Sequence, residues 1–277
     1  MSIEFVTEVS ADKILLKNKG AKQPRVLTIA TELCIGCGVC AKICPVNAIT
    51  VGPLGSVERK TIDVPKIEVD VQKCVLCAMC APVCQFHAIT FTLNGQSIFD
   101  LPGYPSLDGR VLIDPEKVAA IQDTESFTSC LEVCPRDLIQ LTTKDGKNQL
   151  VVDESRCFWC KKCEVSCPEG VITVEKAFVG ELSLNLDRCD GKCGVCIEVC
   201  PVDAFRFPDK QQPWELREKL DYDETYCVFC GACQLACAAG AITVKVKEIR
   251  MKNQDESVSW GKTWKKSLAK LLDGNSP

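Results

Sequence analysis

The sequence predicts an α+β protein built of small tandem modules, and three observations predict it. Five runs of four cysteines punctuate the 277 residues: Cys34, Cys37, Cys40, Cys44; Cys74, Cys77, Cys80, Cys84; Cys157, Cys160, Cys163, Cys167; Cys189, Cys193, Cys196, Cys200; and Cys227, Cys230, Cys233, Cys237. Apolar alternating stretches ending in Asp lead into three of them: IEVD before Cys74, LVVD before Cys157 and LDYD before Cys227. After the fourth cysteine comes a short segment with a β-branched or aromatic end, as in CPVNAITV, CQFHAITF, CPEGVITV, CPVDAFRF and CAAGAITV. Each unit therefore reads as strand, loop, short helix, strand, with the proline after cysteine suited to a first helical turn. Two units make a module of four short strands and two helices. Repetition at this period is the main organising signal.

Four of the five runs have the spacing C-x2-C-x2-C-x3-C, the ligand run of a 4Fe-4S cluster. The chemistry asks for this pattern. A cubane presents four iron corners, each favouring a soft thiolate. Three cysteines two residues apart wrap one face of the cube. In a two-cluster module the fourth cysteine of each run serves the other run's cluster. Pairing neighbouring runs predicts these ligand sets: Cys34, Cys37, Cys40 with Cys84; Cys74, Cys77, Cys80 with Cys44; Cys189, Cys193, Cys196 with Cys237; and Cys227, Cys230, Cys233 with Cys200.

In chain order, residues 1–24 are an N-terminal extension and residues 25–100 a first module with two clusters. Residues 101–180 form a second, degenerate module. Its first unit keeps the lead-in VLID (Val111 to Asp114) and the exit CLEVCPRDLIQL, but Thr124 and Phe127 stand where cysteines belong. The intervening EKVAAIQDTESF predicts a short helix in place of a cluster loop. Cys134 still supplies the remote ligand for Cys157, Cys160 and Cys163, which leaves Cys130 and Cys167 without a cluster. Five clusters are expected; a sixth would need two thiolates plus Ser or Asp. Residues 181–248 form a third, two-cluster module. Its first run is C-x3-C, and Gly191 can absorb the extra residue. RFPDKQQPWELREK, from Arg206 to Lys219, is an insertion inside it. Residues 249–277 hold an amphipathic helix, with Trp260, Trp264, Leu268 and Leu271 on one stripe among Lys262, Lys265, Lys266 and Lys270. Its apolar face predicts docking to a partner, with packing on its own module or a membrane surface as alternatives.

Composition bounds the function. Twenty-two cysteines would suit a disulfide scaffold outside the cell. The N-terminus MSIEFVTEVSADK has early acidic residues and no apolar run of a signal peptide, so a reducing cytoplasm is the expected compartment. The formal charge is −4, and clusters with thiolate ligands add to it. Basic partner surfaces are favoured, and nucleic acid is not an expected partner. Cys74 to Phe99 carries no formal charge, but its four cysteines, Gln85 and His87 mark a cluster module rather than a transmembrane span. There is no P-loop, no HExxH and no nucleophile elbow. Small modules of this size need their clusters for stability.

The runs resemble bacterial-type two-4Fe-4S ferredoxins, and several in one chain resemble polyferredoxins. A narrower similarity lies in CVLCAMCAPVCQFHAITFTLNGQSIFDLPGYP, from Cys74 to Pro105, and in the tail VSWGKTWKKSLAKLL. Both resemble the F (polyferredoxin) subunit of tungsten- or molybdenum-containing formylmethanofuran dehydrogenase of methanogenic archaea. The resemblance implies an electron-relay subunit with no catalytic site of its own. It would pass low-potential electrons from a ferredoxin, hydrogenase or heterodisulfide reductase module to a CO2-reducing catalytic unit on other subunits. The missing ligands at 124 and 127 depart from the pattern. A polyferredoxin of a hydrogenase complex is the alternative within the class; a zinc-binding interaction scaffold is the alternative from another class. Three further residues draw attention. His87 reads as a core or turn residue, and Trp159 and Phe229 as shields over cluster loops or as core filler.

Overall fold

The computed structural model describes residues 5–10, 12–20, 22–208, 220–253 and 259–272. Most of the insertion at 206–219 and the side chain of Trp260 lie outside the described residues. Eight helices are described: α1 (Val39–Ile43), α2 (Leu54–Glu58), α3 (Pro115–Ala120), α4 (Thr128–Glu132), α5 (Lys162–Ser166), α6 (Val195–Glu198), α7 (Ala232–Ala236) and α8 (Ser259–Leu272).

One strand scheme occurs three times. In each module the first strand pairs antiparallel with the last, and the two inner strands pair with each other. The outer pairs are Arg25–Ala30 with Ile89–Leu93, Arg110–Ile113 with Ile172–Glu175, and Phe178–Leu184 with Ile242–Ile249. The inner pairs are Ile49–Val51 with Ile67–Val69, Ile139–Lys144 with Lys147–Val152, and Phe205–Arg206 with Asp221–Tyr222. This nesting carries the exit of each unit to the loop of the other, which exchange of the fourth cysteine requires. Alternation supports the pairing: in Arg25–Ala30, Leu27 and Ile29 are buried while their neighbours are half-buried.

Three features differ from the sequence reading. The extension is not separate: Phe5–Val9 and Lys13–Asn18 form a hairpin that adds to the outer strand Arg25–Ala30, and Leu16 is fully buried there. The helices lie before the fourth cysteine, not after it. Cys44, Cys167 and Cys237 are the residues that end α1, α5 and α7. A tight turn comes next, with a left-handed residue three positions beyond each of the six cysteines: Asn47, His87, Asp137, Gly170, Asp203 and Gly240. Gly, Asn and Asp tolerate that conformation best, so these residue types select the turn. His87 is therefore a turn residue.

The third difference concerns α8. It packs inside the chain, against α1 of module 1 and the strand Ile242–Ile249 of module 3. Trp264, Leu268 and Leu271 are buried, and Ser267 Oγ lies 3.8 Å from Met79 Sδ. The stripe predicted to dock on a partner is thus covered within the molecule, because two modules present a joint apolar seat. Met251–Lys252 also pairs with Ser106–Leu107, tying the end of module 3 to the start of module 2. No described helix is long and apolar enough to cross a membrane.

Candidate cluster sites

Each loop between the first and third cysteines of a run is built on two left-handed residues. One lies two positions after the first cysteine: Gly36, Leu76, Trp159, Gly191 or Phe229. The other comes directly after the second cysteine: Gly38, Ala78, Lys161, Gly194 or Gly231. Two such reversals curl the backbone so that successive thiols face one centre. Gly191 keeps its place in the C-x3-C loop with φ of 70°, so the extra residue does not disturb the pattern. Cys193 is nevertheless exposed.

The thiols gather in groups. Cys34, Cys37, Cys40 and Cys84 line one cavity with Ile35, Val39, Ile67 and Phe86. Cys44, Cys74, Cys77 and Cys80 line a second with Leu27, Ile49, Val69 and Phe91. In module 2, burial first and then Cys160 and Cys134 push Cys157 up to about 12. Burial and then Cys160, Cys157 and Cys134 do the same to Cys163, also to about 12. In module 3, Cys189, Cys193 and Cys237 share a cleft, and Cys196 is raised to about 12 by burial and then by Cys193 and, more weakly, Cys189. Cys227 is raised to about 11, chiefly by burial and further by Cys200; Cys233 is raised by burial, Cys227 and Cys200. Thiols with such values are protonated near neutral pH, so taking up iron must expel protons.

In module 1 the thiols ring two small apolar cavities. Among the described residues, no three His, Cys, Asp or Glu stand close enough to hold one metal ion. Zinc draws its ligands to about 2.3 Å around a single centre, so a larger group fits better. Backbone donors complete each site. After the fourth cysteine the turn aims an N–H at its sulfur: Ala48 to Cys44 at 3.3 Å, Leu138 to Cys134 at 3.5 Å, Ala204 to Cys200 at 3.3 Å and Ala241 to Cys237 at 3.3 Å. Within the loops, the N–H groups of Trp159 and Phe229 reach Cys157 and Cys227, each at 3.4 Å. Such donors stabilise charge on sulfur and so set reduction potential.

Cys130 and Cys167, predicted to lack a cluster, are buried and joined in a disulfide. They are the two surviving ligand positions of one site, so the fold brings them together. The loop that would have completed it is α3 and a 3-10 turn at Thr124–Phe127, each capped by an aspartate, Asp114 and Asp123. Val118 and Phe127 fill the interior at 1% and 0% exposure.

The modules meet at the thiols. Cys230 is raised by burial and then by Cys37 of module 1. His87 Nε2 lies 2.8 Å from the Cys157 carbonyl oxygen, and its ring meets Trp159 edge-on. Arg59, just after α2, is 2.6 Å from Glu198 and also donates to the Cys193 carbonyl. Two residues in these junctions escaped the sequence reading, Arg136 and Lys176. The signal for Arg136 was present: it is basic where the other turns carry Val, Phe, Glu, Val and Ala.

Comparison with known proteins agrees with this geometry. A 4Fe-4S dicluster domain model matches residues 33–88, 128–171, 156–204 and 188–241, more than half of the chain. The polyferredoxin protein FwdF of Methanocaldococcus jannaschii is 50% identical over 105 residues, 38% of this chain and 30% of that protein. The polyferredoxin protein MvhB of Methanothermus fervidus is 31% identical over 94 residues, 34% of this chain and 22% of that one. The chain thus spans under a third of these relatives. A chain of the formate dehydrogenase–heterodisulfide reductase–formylmethanofuran dehydrogenase complex from Methanospirillum hungatei superposes with a TM-score of 0.80 at 26% identity, covering 97% of this chain and 92% of that one. With its repeated strand scheme and gathered thiols, the chain belongs to the 4Fe-4S dicluster domain family.

Proposed function

We propose that the chain holds five 4Fe-4S clusters and relays electrons as a subunit of an oxidoreductase complex of the formylmethanofuran dehydrogenase type. The ligand sets are those read from spacing, with Cys134 completing the set of Cys157, Cys160 and Cys163. The observation that carries this reading is the pair of cavities in module 1, each lined by four thiols, in a fold that superposes on a chain of such a complex over nearly its whole length. When bound, each cluster supplies a site that takes up and gives back one electron. The chain's residues do the rest. The left-handed loop residues aim the thiols, the turn N–H groups stabilise sulfur charge, and Leu76, Phe86, Trp159 and Phe229 exclude water. The substrate chemistry belongs to partner subunits, and the chain itself is a relay in the cytoplasm.

Anaerobic iron and acid-labile sulfide analysis tests the load. About twenty of each per chain is expected, four per cluster; about twenty-four would overturn the five-cluster reading. Purification under anaerobic conditions tests the partner. Co-purifying tungsten or molybdenum supports the formylmethanofuran dehydrogenase type, and nickel points to a hydrogenase instead.

A further inference from the structure

His87 is the chain's single histidine, and the turn it occupies does not call for an imidazole. The same turn position carries Asn47, Asp137, Gly170, Asp203 or Gly240 after the other five cysteines of its kind. At His87 the turn closes as elsewhere: its N–H donates to the Cys84 carbonyl at 3.0 Å, as that of Asp137 does to Cys134 at 3.1 Å. What differs is where the side chain goes. It leaves module 1 and brings Nε2 to 2.8 Å from the carbonyl oxygen of Cys157 in module 2. A carbonyl only accepts, so Nε2 carries the proton and donates.

This bond joins two proposed cluster sites at their ligands. Cys84 completes the set of Cys34, Cys37 and Cys40, and Cys157 belongs with Cys134, Cys160 and Cys163. From Cys84 the covalent chain runs to the imidazole, one hydrogen bond crosses between modules, and the covalent chain resumes to the Cys157 sulfur. The segments on either side interlock. The His87 ring meets Trp159 edge-on at 5.8 Å, and the Phe86 ring meets Phe158 at 5.2 Å. Gly109 leaves room for Trp159, since a Cβ there would overlap the indole. Arg136, two residues after Cys134, reinforces the same junction by donating to the carbonyls of Phe86 at 3.1 Å and Arg156 at 2.8 Å.

Among the described residues the other junctions are built differently. Modules 1 and 3 meet where Gly38, directly after Cys37, packs against Leu235, a van der Waals contact, and where Arg59 donates to the Cys193 carbonyl. Modules 2 and 3 meet where Lys176 donates to the Cys227 carbonyl at 2.6 Å, and where Lys162 pairs with Asp203. Arg59 and Lys176 lie outside the cysteine runs and the turns that follow them. The Lys162–Asp203 link runs the length of a lysine chain to an exposed carboxylate. Electron tunnelling falls off steeply across van der Waals gaps and most slowly along short covalent and hydrogen-bonded links. The His87 bond is the short link that ends on a ligand residue at one side and on a ligand's own turn at the other.

We propose that His87 carries the electron between the module 1 site of Cys34, Cys37, Cys40 and Cys84 and the site of module 2. One electron moves: one site is oxidised as the other is reduced, no bond is made or broken, and the imidazole keeps its proton. His87 acts through the Cys157 backbone, so it is a positioning residue for this transfer. The inference rests on the proposed function, in that both sites must hold clusters.

The test is rapid anaerobic reduction of the full, cluster-loaded chain with dithionite, followed by freeze-quench EPR and accompanied by iron analysis and a potentiometric titration. The module 2 signal is the one missing from Cys160→Ala, and the module 1 signal the one missing from Cys34→Ala. His87→Asn keeps the turn, since Asn47 holds the same position, but its side chain falls short of the Cys157 carbonyl. In that variant the module 2 signal should rise severalfold more slowly than in the parent, while the module 1 rate, the iron content and both potentials stay unchanged. His87→Gln restores an N–H donor at the reach of Nε2 and should follow the parent; should it shed iron, His87→Asn decides alone. The proposal is overturned if His87→Asn reduces module 2 at the parent rate, because electrons then enter by another route. It is overturned too if an iron-replete His87→Gln is as slow as His87→Asn, or if His87→Asn sheds iron or shifts a potential, which would make His87 a structural clamp. A parent chain with no signal that Cys160→Ala removes would instead sink the reading that module 2 holds a cluster.

Discussion

Modules 1 and 2 have the same four-strand frame and opposite interiors. In module 1 both loops carry their two left-handed residues, Gly36 with Gly38 and Leu76 with Ala78, and both cavities are ringed by four thiols. In module 2 only the second loop does, at Trp159 and Lys161, and the first half is filled by α3, Phe127 and a disulfide. On the proposed five-cluster reading, the frame does not depend on a cluster in each half. It depends on a cross-link between the two halves, because so small a unit buries too little apolar surface to hold itself together. On the proposed ligand sets, a cluster ligated from both units would supply that cross-link in module 1. Cys130–Cys167 and the Val118–Phe127 core supply it in module 2.

Iron removal should separate the two regions most widely. Clusters contribute folding free energy directly, so stripping them under anaerobic chelation should unfold residues 34–84 and leave part of module 2 structured. Hydrogen exchange would report it, with amides of the hairpin Ile139–Val152 still protected after those of Ile49–Val51 and Ile67–Val69 have exchanged. Equal loss in both regions would show that the module 2 core is not self-sufficient. Acid should act in the same direction as the chelator. Thiols such as Cys37, raised to about 12 by burial and the nearby Cys84, take up protons when they release iron, so lower pH favours the iron-free form.

A pair of substitutions sharpens the contrast within one turn of chain. Cys134→Ala should remove one cluster and with it about four iron per chain. Cys130→Ala should leave the iron content unchanged but open the disulfide. Closing a loop of this length is worth about 4 kcal/mol on the chain-entropy model, so iron release on heating should begin earlier in that variant. Equal iron loss in the two variants would refute the exchange of ligands between units.

Phe127 tests the filled half alone. It has no exposed surface, and Phe127→Ala leaves a cavity costing about 3–5 kcal/mol. Because Phe127 is in the half proposed to lack a cluster, the iron content should stay at the parent value while module 2 loses exchange protection. Iron loss in this variant would mean that the apolar fill also shapes the neighbouring cluster site.

Cysteine spacing makes the dicluster family and its repeated strand frame legible, since it depends on how far apart thiols must be to share a cubane; the ligand sets and the cluster count are proposals built on the same spacing. The helix predicted between Asp114 and Phe127 is present because Asp114 caps it and Val118 is buried beneath it. The turns after the fourth cysteine are harder to read and look like helix in the sequence. Proline at that position suits a helix start or a turn equally, and the deciding residue lies two places later, at Asn47, Asp137 or Asp203. Assembly is not legible at all. The face of α8 carries no mark that distinguishes a partner's surface from the joint seat on modules 1 and 3. Nor does local sequence show that Arg136 and Lys176 come to rest on carbonyls of other segments.

The smallest effect is expected at the turn position that the two halves of module 2 share. Gly170 lies three residues after Cys167 and Asp137 three after Cys134, and both are left-handed, with φ of 71° and 52°. Gly170→Ala should cost about 1–2 kcal/mol, the penalty of that conformation for a residue with a Cβ. The side chain such a change adds would meet only Lys117 Nζ, the mobile end of a long chain, so sterics contribute little. Asp137→Gly removes the same conformational cost but loosens the unfolded chain by about 0.5–1 kcal/mol, so the two nearly cancel. The Leu138 N–H that reaches Cys134 sulfur belongs to the backbone and is retained in either variant. Iron content should therefore match the parent in both, with earlier thermal release of iron only in Gly170→Ala. If Asp137→Gly is the more damaging change, the aspartate side chain contributes something beyond permitting the turn, and the two halves are less alike than their backbones.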